Sequence, residues 1–178
     1  MDLIRVGNKL ISREKTQRHI DRILQLRVEG YSQQEVGKKL NIDRTFISRL
    51  EALGEVRRGQ RVAVVGFPIL NKHELQESLL QKGVEYILLF TEEERWQFVD
   101  ESEGIELLNK IMTIITELKN YDAVIMIGSN YRIRLCEALL DKEVVGVEIG
   151  KSPIEEDKHV PVHKIQELVE AVMVKTLS

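Results

Sequence analysis

A short polar segment after the apolar run Ala123–Ile127 has the composition of an anion site. It combines a glycine, two side chains that cap helices and two arginines, at Gly128, Ser129, Asn130, Arg132 and Arg134, of which the first four are the expected ligand contacts. The free N–H groups at a helix start and a guanidinium both attract anions. If the first and third strands are neighbours, a facing wall would come from Gly66, Phe67 and Asn71. The segment predicts a site for a small anionic or nucleotide-like ligand, unless Ser129 or Asn130 only caps the helix.

Other motifs that strand ends often carry are missing. The segment Gly66–Asn71 holds one glycine where a dinucleotide fingerprint needs three, and neither a phosphate-binding loop nor the aspartates of a receiver domain occur. The four histidines lack metal-ligand spacing. Glu92 lies where α/β folds often place a ribose-binding acid, but Glu92–Glu94 fits a solvated charge run better. We therefore expect no enzyme activity, no cofactor and no metal.

Three helices with short connections are predicted in the first third of the chain. Apolar residues spaced three and four apart mark the first helix over residues 13–29, and Ser32–Glu35 forms a capping box that starts the second. Asn41 and Asp43 end the second helix at Leu40 and start the third. One face of the third helix is apolar, with Phe46, Ile47, Leu50 and Leu53. The other face is polar and basic, with Arg44, Thr45, Ser48 and Arg49.

The segment Gln33–Leu50 resembles the helix-turn-helix of the phage repressor and Cro class of transcriptional regulators. The family's buried positions are matched by Val36, Leu40, Ile42, Ile47 and Leu50, and Gly37 stands where helices approach closely. Asn41 replaces the glycine usual at the turn, and asparagine also adopts left-handed backbone. The resemblance implies binding to double-stranded DNA. Base edges would be contacted by Arg44, Thr45, Ser48 and Arg49, and the phosphate backbone by Ser32, Gln33 and Lys38 or Lys39.

Charge divides the chain into two halves. Residues 1–61 carry a net charge of +6 and residues 62–178 one of −9, which together give the −3 of the whole chain. Such polarity favours a basic module for a polyanion joined to an acidic body. We predict a helix-turn-helix domain at 1–54, a linker at 55–61 and a dimerisation or ligand-sensing domain at 62–178.

The acidic half alternates four short apolar runs with helical patterns. The predicted strands are Val62–Val65, Tyr86–Phe90, Ala123–Ile127 and Val144–Ile149, with four helices between and after them. This order predicts an α/β fold. An all-α N-terminal domain is followed by a doubly wound, mostly parallel, four-stranded Rossmann-like sheet, whose strand order the sequence does not specify.

Two apolar segments favour further contacts. Residues 1–11 are too apolar for a free arm and are expected to pack on a surface. The predicted helix Ile105–Leu118 has eight apolar positions that fill about half its circumference, more than covering a sheet requires. A neighbouring helix could cover the excess, or a second copy of the chain could do so through Leu107, Ile111 and Ile114.

The sequence thus predicts a cytoplasmic, homodimeric, sequence-specific DNA-binding transcriptional regulator with a possible small-ligand sensor. No run is long enough to cross a membrane, the start lacks a signal peptide pattern, and Cys136 has no partner for an intrachain disulfide. Two alternatives stay open. The basic module could dock protein or RNA on an α/β scaffold, or the body could be an unrecognised enzyme tethered to DNA.

Overall fold

A computed structural model describes residues 2–174 of the chain. The chain divides between Glu55 and Val56 into two compact units, and residues 175–178 of the predicted second domain lie outside the described residues. Among the described helices, none combines the length and apolar character needed to span a membrane.

The first unit begins with a β-hairpin, so the prediction of an all-α domain is wrong. Strand β1 (Leu3–Val6) pairs antiparallel with β2 (Lys9–Ser12) across a two-residue loop. Gly7 opens this loop with a φ of +59°, which glycine adopts without strain. Both faces of the hairpin expose apolar side chains within this unit, among them Val6 and Leu10.

Three helices follow the hairpin, as predicted: α1 (Arg13–Val28), α2 (Gln33–Leu40) and α3 (Arg44–Gly54). The predicted capping box of Ser32 and Glu35 is present at the start of α2, and Asp43 caps α3. Their core consists of Ile23, Leu26, Val36 and Ile47. Two residues predicted for the buried face of α3 are exposed instead, Phe46 at 49% and Leu53 at 87%, because only its middle turn meets α1 and α2.

The second unit is a four-stranded parallel sheet with helices on both faces, which confirms the α/β class. Its strands are β3 (Val62–Gly66), β4 (Tyr86–Leu89), β5 (Ala123–Ser129) and β6 (Glu143–Gly150), in the order β4-β3-β5-β6. Its helices are α4 (Lys72–Gln81), α5 (Glu92–Asp100), α6 (Gly104–Leu118), α7 (Asn130–Leu139) and α8 (Val162–Val172). Side chains of α4 and α8 pack on one face of the sheet, and those of α6 and α7 on the other.

Gly59, Gln60 and Arg61, which the sequence analysis assigns to a linker, are bound to the second unit. Gly59 N–H donates to the Val172 carbonyl over 3.0 Å. The N–H groups of Gln60 and Arg61 donate to Asp122 Oδ2 over 2.8 and 2.9 Å. The Arg61 and Gln60 N–H groups lower the pKa of the Asp122 carboxyl by favouring its charged form. The unit therefore starts before its first strand.

The strand order creates a point where ligands commonly bind in such sheets. From β3 the chain crosses to β4 on one side, and later returns to β5 on the other side of β3. At such a reversal, the connections leaving the carboxyl ends of the two central strands diverge and leave a crevice. The carboxyl ends of β3 and β5 are neighbours, as the anion-site prediction requires.

Candidate nucleic-acid interface and ligand pocket

The connection between α2 and α3 is tight and shaped by two residues. Asn41 adopts left-handed backbone with a φ of 53°, and the N–H of Ile42 donates to the Gly37 carbonyl over 2.9 Å. A Cβ at Gly37 would lie 2.7 Å from the Ile42 carbonyl oxygen, so a larger residue would push the turn away. The predicted need for a small residue at this position is confirmed. The start of α3 is thereby held against α2.

The predicted base-contacting residues share the exposed side of α3. All four are exposed: Arg44, Thr45, Ser48 and Arg49. The N–H of Thr45 donates to Asp43 Oδ1 over 2.6 Å, and hydrogen bonds from the Thr45 side chain and from this N–H lower the pKa of the Asp43 carboxyl. Within residues 2–174 neither arginine forms a salt bridge, although Arg49 is near enough to contribute to the lowered Asp43 pKa. Both guanidinium groups are available to an anion or a base edge.

The three predicted phosphate-contacting residues differ in availability. Lys38 is exposed. Ser32 Oγ accepts the Glu35 N–H over 3.3 Å, and a hydrogen bond between the Ser32 side chain and the Glu35 carboxylate lowers the pKa of that carboxyl, so Ser32 is engaged in the cap. Gln33 is half-buried, and its amide donates to Glu51 Oε2 over 2.7 Å. Lys39, the alternative to Lys38, places its ammonium 4.1 Å from the centre of the Tyr31 ring.

Glu51 connects all three helices of the first unit. Besides the amide of Gln33 on α2, it receives Arg27 Nε of α1 at its Oε1 over 2.5 Å. Arg27 also donates to the Tyr31 carbonyl over 2.5 Å. The Arg27 and Gln33 hydrogen bonds lower the pKa of the Glu51 carboxyl. Hydrogen bonds to Glu51 thus hold α1, α2 and α3 together outside their small apolar core.

A pocket of about 420 Å³ lies at the carboxyl edge of the sheet, around the ends of β3 and β5. Three of the seven predicted ligand-site residues line it: Phe67, Ser129 and Arg132. The Arg132 guanidinium carbon lies 5.9 Å from the centre of the Phe67 ring, and no carboxylate of the described chain forms a salt bridge with it. Ser129 Oγ accepts the Arg132 N–H over 3.3 Å, so the predicted capping role of Ser129 is confirmed.

The other four predicted ligand-site residues have structural contacts outside the pocket lining. Gly66 and Gly128 are buried in β3 and β5, where an added Cβ would lie within 3.2 Å of neighbouring side chains. Asn71 exchanges two hydrogen bonds of 2.9 Å with the backbone of Val160. Asn130 Oδ1 accepts the Ser152 N–H over 3.2 Å. Asn71 is therefore not the facing wall; it joins α4 to the segment before α8.

Glu92, Arg95 and Trp96 line the pocket and were not predicted as a site. They belong to α5, whose first three residues, Glu92–Glu94, were expected to form a solvated charge run; that expectation is wrong for Glu92, although Glu93 is exposed. Thr91 and Glu94 form a capping box there, a pattern visible in the sequence. The Glu92 side chain is only 20% exposed. Its Oε1 accepts Arg95 Nη2 over 2.5 Å and Trp96 Nε1 over 2.9 Å.

A larger cleft, of about 810 Å³, lies at the opposite edge of the sheet. It is lined by charged surface residues around Asp122, whose Oδ2 is already bound by two backbone N–H groups. Size alone does not identify a binding site, and ligands of parallel sheets bind at the carboxyl edge. The described residues contain no cluster of histidine, cysteine and acidic side chains suited to a metal ion. The chain matches no protein family, no curated protein and no solved structure.

Proposed function

We propose that this protein is a sequence-specific DNA-binding transcriptional regulator, in which α2 and α3 form a helix-turn-helix and α3 enters the major groove. One observation carries the proposal: Arg44 and Arg49 lie on the exposed side of a helix whose start is held against α2, and neither is ion-paired in the described chain. Arginine in this position can bind guanine through two hydrogen bonds. Thr45 and Ser48 are small enough to let the helix approach the base edges.

The charge distribution supports the same proposal. The +6 of residues 1–61 would displace counterions from phosphate, which makes binding salt-dependent. Ser32 caps the start of α2 and the exposed Lys38 lies in its last turn, and we assign both to phosphate contacts. Gln33 would need to leave Glu51 to reach phosphate, so we assign it to positioning instead.

A homodimer completes the proposed regulator, because one short recognition helix is too small for high specificity. The excess apolar surface expected on α6 is present, but its position differs from the prediction. Leu107 and Ile114 are half-buried, and Ile114 packs against the core on this face of the sheet. The exposed stripe consists of Ile105, Leu108, Ile111 and Met112. We propose that this stripe pairs with its copy in a second chain, while the sheet domain senses a small ligand.

Selection of bound sequences from random duplex DNA, followed by fluorescence anisotropy, tests the proposal. Arg49→Ala should weaken binding to the selected site by about 1–3 kcal/mol and leave random DNA nearly unaffected. Arg134→Ala is the control, because it removes the same charge from an exposed position on α7. An equal loss on both DNAs would make Arg49 a phosphate contact.

Failure of the wild-type chain to enrich any sequence would refute the regulator. Binding to single-stranded or structured RNA in the same assay, without duplex binding, would favour the RNA-docking alternative. In both assays, the salt dependence reports how many phosphates are neutralised.

A further inference from the structure

An unpaired carboxylate oxygen lies buried in the wall of the pocket at the carboxyl edge of the sheet, on a residue that lines it. Glu92 Oε2 is inaccessible to solvent and has no hydrogen-bond partner among the described residues. The same side chain is held firmly, because Arg95 and Trp96 both donate to its Oε1. The Glu92 N–H is bound too, by Asp157 Oδ1 over 2.6 Å. A buried acceptor without a donor is costly, so a donor supplied by a ligand would stabilise this arrangement.

The pocket also offers a cation that is not paired. The Arg132 guanidinium lies beside the Phe67 ring and forms no salt bridge in residues 2–174. The N–H groups of Tyr131 and Arg132 are already bound by side-chain oxygens of Asn130 and Ser129. An anion in the pocket would therefore be held by the arginine side chain rather than by the first turn of α7.

The other residues that line the pocket indicate which parts of a ligand would lie between Glu92 and Arg132. Besides its polar and charged residues, the lining includes five aromatic, proline or aliphatic ones: Phe67, Pro68, Trp96, Pro153 and Ile154. A second carboxylate, Glu155, is exposed on the lining, and Ser152 adds a hydroxyl. Two carboxylates near one unpaired arginine disfavour a bare anion such as inorganic phosphate. The set fits a molecule with hydrogen-bond donors at one end, an anionic group at the other and apolar edges between them.

We propose that this pocket binds a phosphorylated sugar, with the phosphate paired with Arg132 and a sugar hydroxyl donating to Glu92 Oε2 once the side chains that cover this oxygen have shifted. The volume of about 420 Å³ lies within the range of small-molecule sites. The sugar phosphate can be free or part of a nucleotide, whose base would stack on Phe67 or Trp96. This inference deepens the sensor role in the proposed function, although the binding itself does not require DNA.

Isothermal titration calorimetry of the full chain tests the proposal with three probes: ribose 5-phosphate, adenosine monophosphate and inorganic phosphate. Ribose 5-phosphate or the nucleotide should bind at least about tenfold more tightly than inorganic phosphate, because a hydroxyl adds a charge-assisted hydrogen bond. If adenosine monophosphate binds more tightly than ribose 5-phosphate, the pocket also contacts the base. If the two bind equally, the sugar phosphate alone accounts for the binding. Equal affinity for all three would overturn the proposal, as would no binding of any.

Two variants assign the roles. Glu92→Gln replaces the acceptor at Oε2 with a donor and should weaken binding about tenfold, while Arg132→Ala should weaken it at least as much. Glu93→Gln is the matched control, since this exposed neighbour does not line the pocket. Unchanged affinity in either test variant overturns the assignment. If Glu92→Gln does not fold, the wild type should bind ribose 5-phosphate about tenfold better than propyl phosphate, which lacks hydroxyls; equal binding again overturns the proposal.

DNA binding is measured on the same preparations by anisotropy. A chain that binds selected DNA but none of the probes refutes this inference alone. A chain that binds ribose 5-phosphate but no nucleic acid refutes the regulator alone.

Discussion

The side-chain amide of Gln33 donates to Glu51 Oε2 over 2.7 Å, which ties the first residue of α2 to the middle of α3. Arg27 reaches the same carboxylate from α1. One acidic residue therefore fixes the spacing of all three helices around a core of only four buried side chains. The orientation of α3, and with it that of its exposed side with Arg44 and Arg49, depends on these contacts.

We predict that Glu51→Gln destabilises the first unit by about 1–2 kcal/mol near pH 7, since it removes charge-assisted hydrogen bonds at a mostly buried side chain. The folded pKa of Glu51 is lowered by Arg27 and Gln33. Its stabilising contribution is therefore complete above the ordinary pKa of 4.5 and is lost as the pH falls through the lower folded value. Urea titrations followed by resonances of α1–α3 should show wild type and variant converging at acidic pH. A constant difference at all pH values would contradict this account.

We predict that Gly37→Ala destabilises the first unit by about 1–3 kcal/mol, although alanine favours helices by about 1 kcal/mol. The alanine Cβ would lie 2.7 Å from the backbone carbonyl oxygen of Ile42, which cannot move away as the end of a flexible side chain could. Gly54→Ala is the control, because no atom lies within 4 Å of a Cβ at that position of α3. The same urea titration measures both. A stabilised Gly37→Ala variant would show that the turn yields easily.

Local patterns are sufficient to predict the three helices of the first unit and, in the second unit, the four strands and every helix except α5. Ser32, Asn41 and Asp43 act through their own neighbours in the chain, so the sequence reports their roles directly. The hairpin was missed although Gly7-Asn8 between alternating apolar residues is itself a local signal. The order β4-β3-β5-β6 depends on pairings between distant segments, which no short pattern encodes.

The candidate ligand site is harder to predict, because its residues come from separate connections between strands and helices. Ser129 and Arg132 follow one strand and could be predicted as a pair, since both start α7. Glu92 follows another strand, and its burial depends on α5, on Asp157 and on the crevice between strands. In sequence, three consecutive glutamates look solvated. Only the fold shows that Glu92 lines the pocket while its neighbour Glu93 is exposed.

Cys136 should be unreactive in the folded protein. Burial, helped by the charge of Glu137, raises the pKa of its thiol from 9.0 to about 11. At about pH 8 the thiolate fraction should therefore be about 100-fold lower than in the unfolded chain. The rate of labelling by a thiol reagent, with and without concentrated urea, measures this difference, because the chain has one cysteine. Comparable rates in both conditions would mean that the helix carrying Cys136 opens readily.

The exposed stripe on α6 should hold two chains together if the proposed dimer forms. Ile105, Leu108 and Met112 repeat at intervals of three and four, which is the spacing of a helix-pairing seam. They are 78%, 55% and 54% exposed, so their apolar surface faces solvent in a single chain.

Leu108→Glu combined with Met112→Glu should give folded monomers, because the variant brings four carboxylates together at the seam. Thr113→Glu is the control, as it adds a charge to an exposed position of the same helix away from the stripe. Sedimentation at micromolar concentration measures whether the chain is a monomer or a dimer. Fluorescence anisotropy on a selected DNA site should show a loss of affinity of at least about tenfold in the double variant, because a monomer carries one DNA-binding unit instead of two. A wild type that sediments as a monomer would refute the dimer, and a double variant that stays dimeric would place the interface elsewhere.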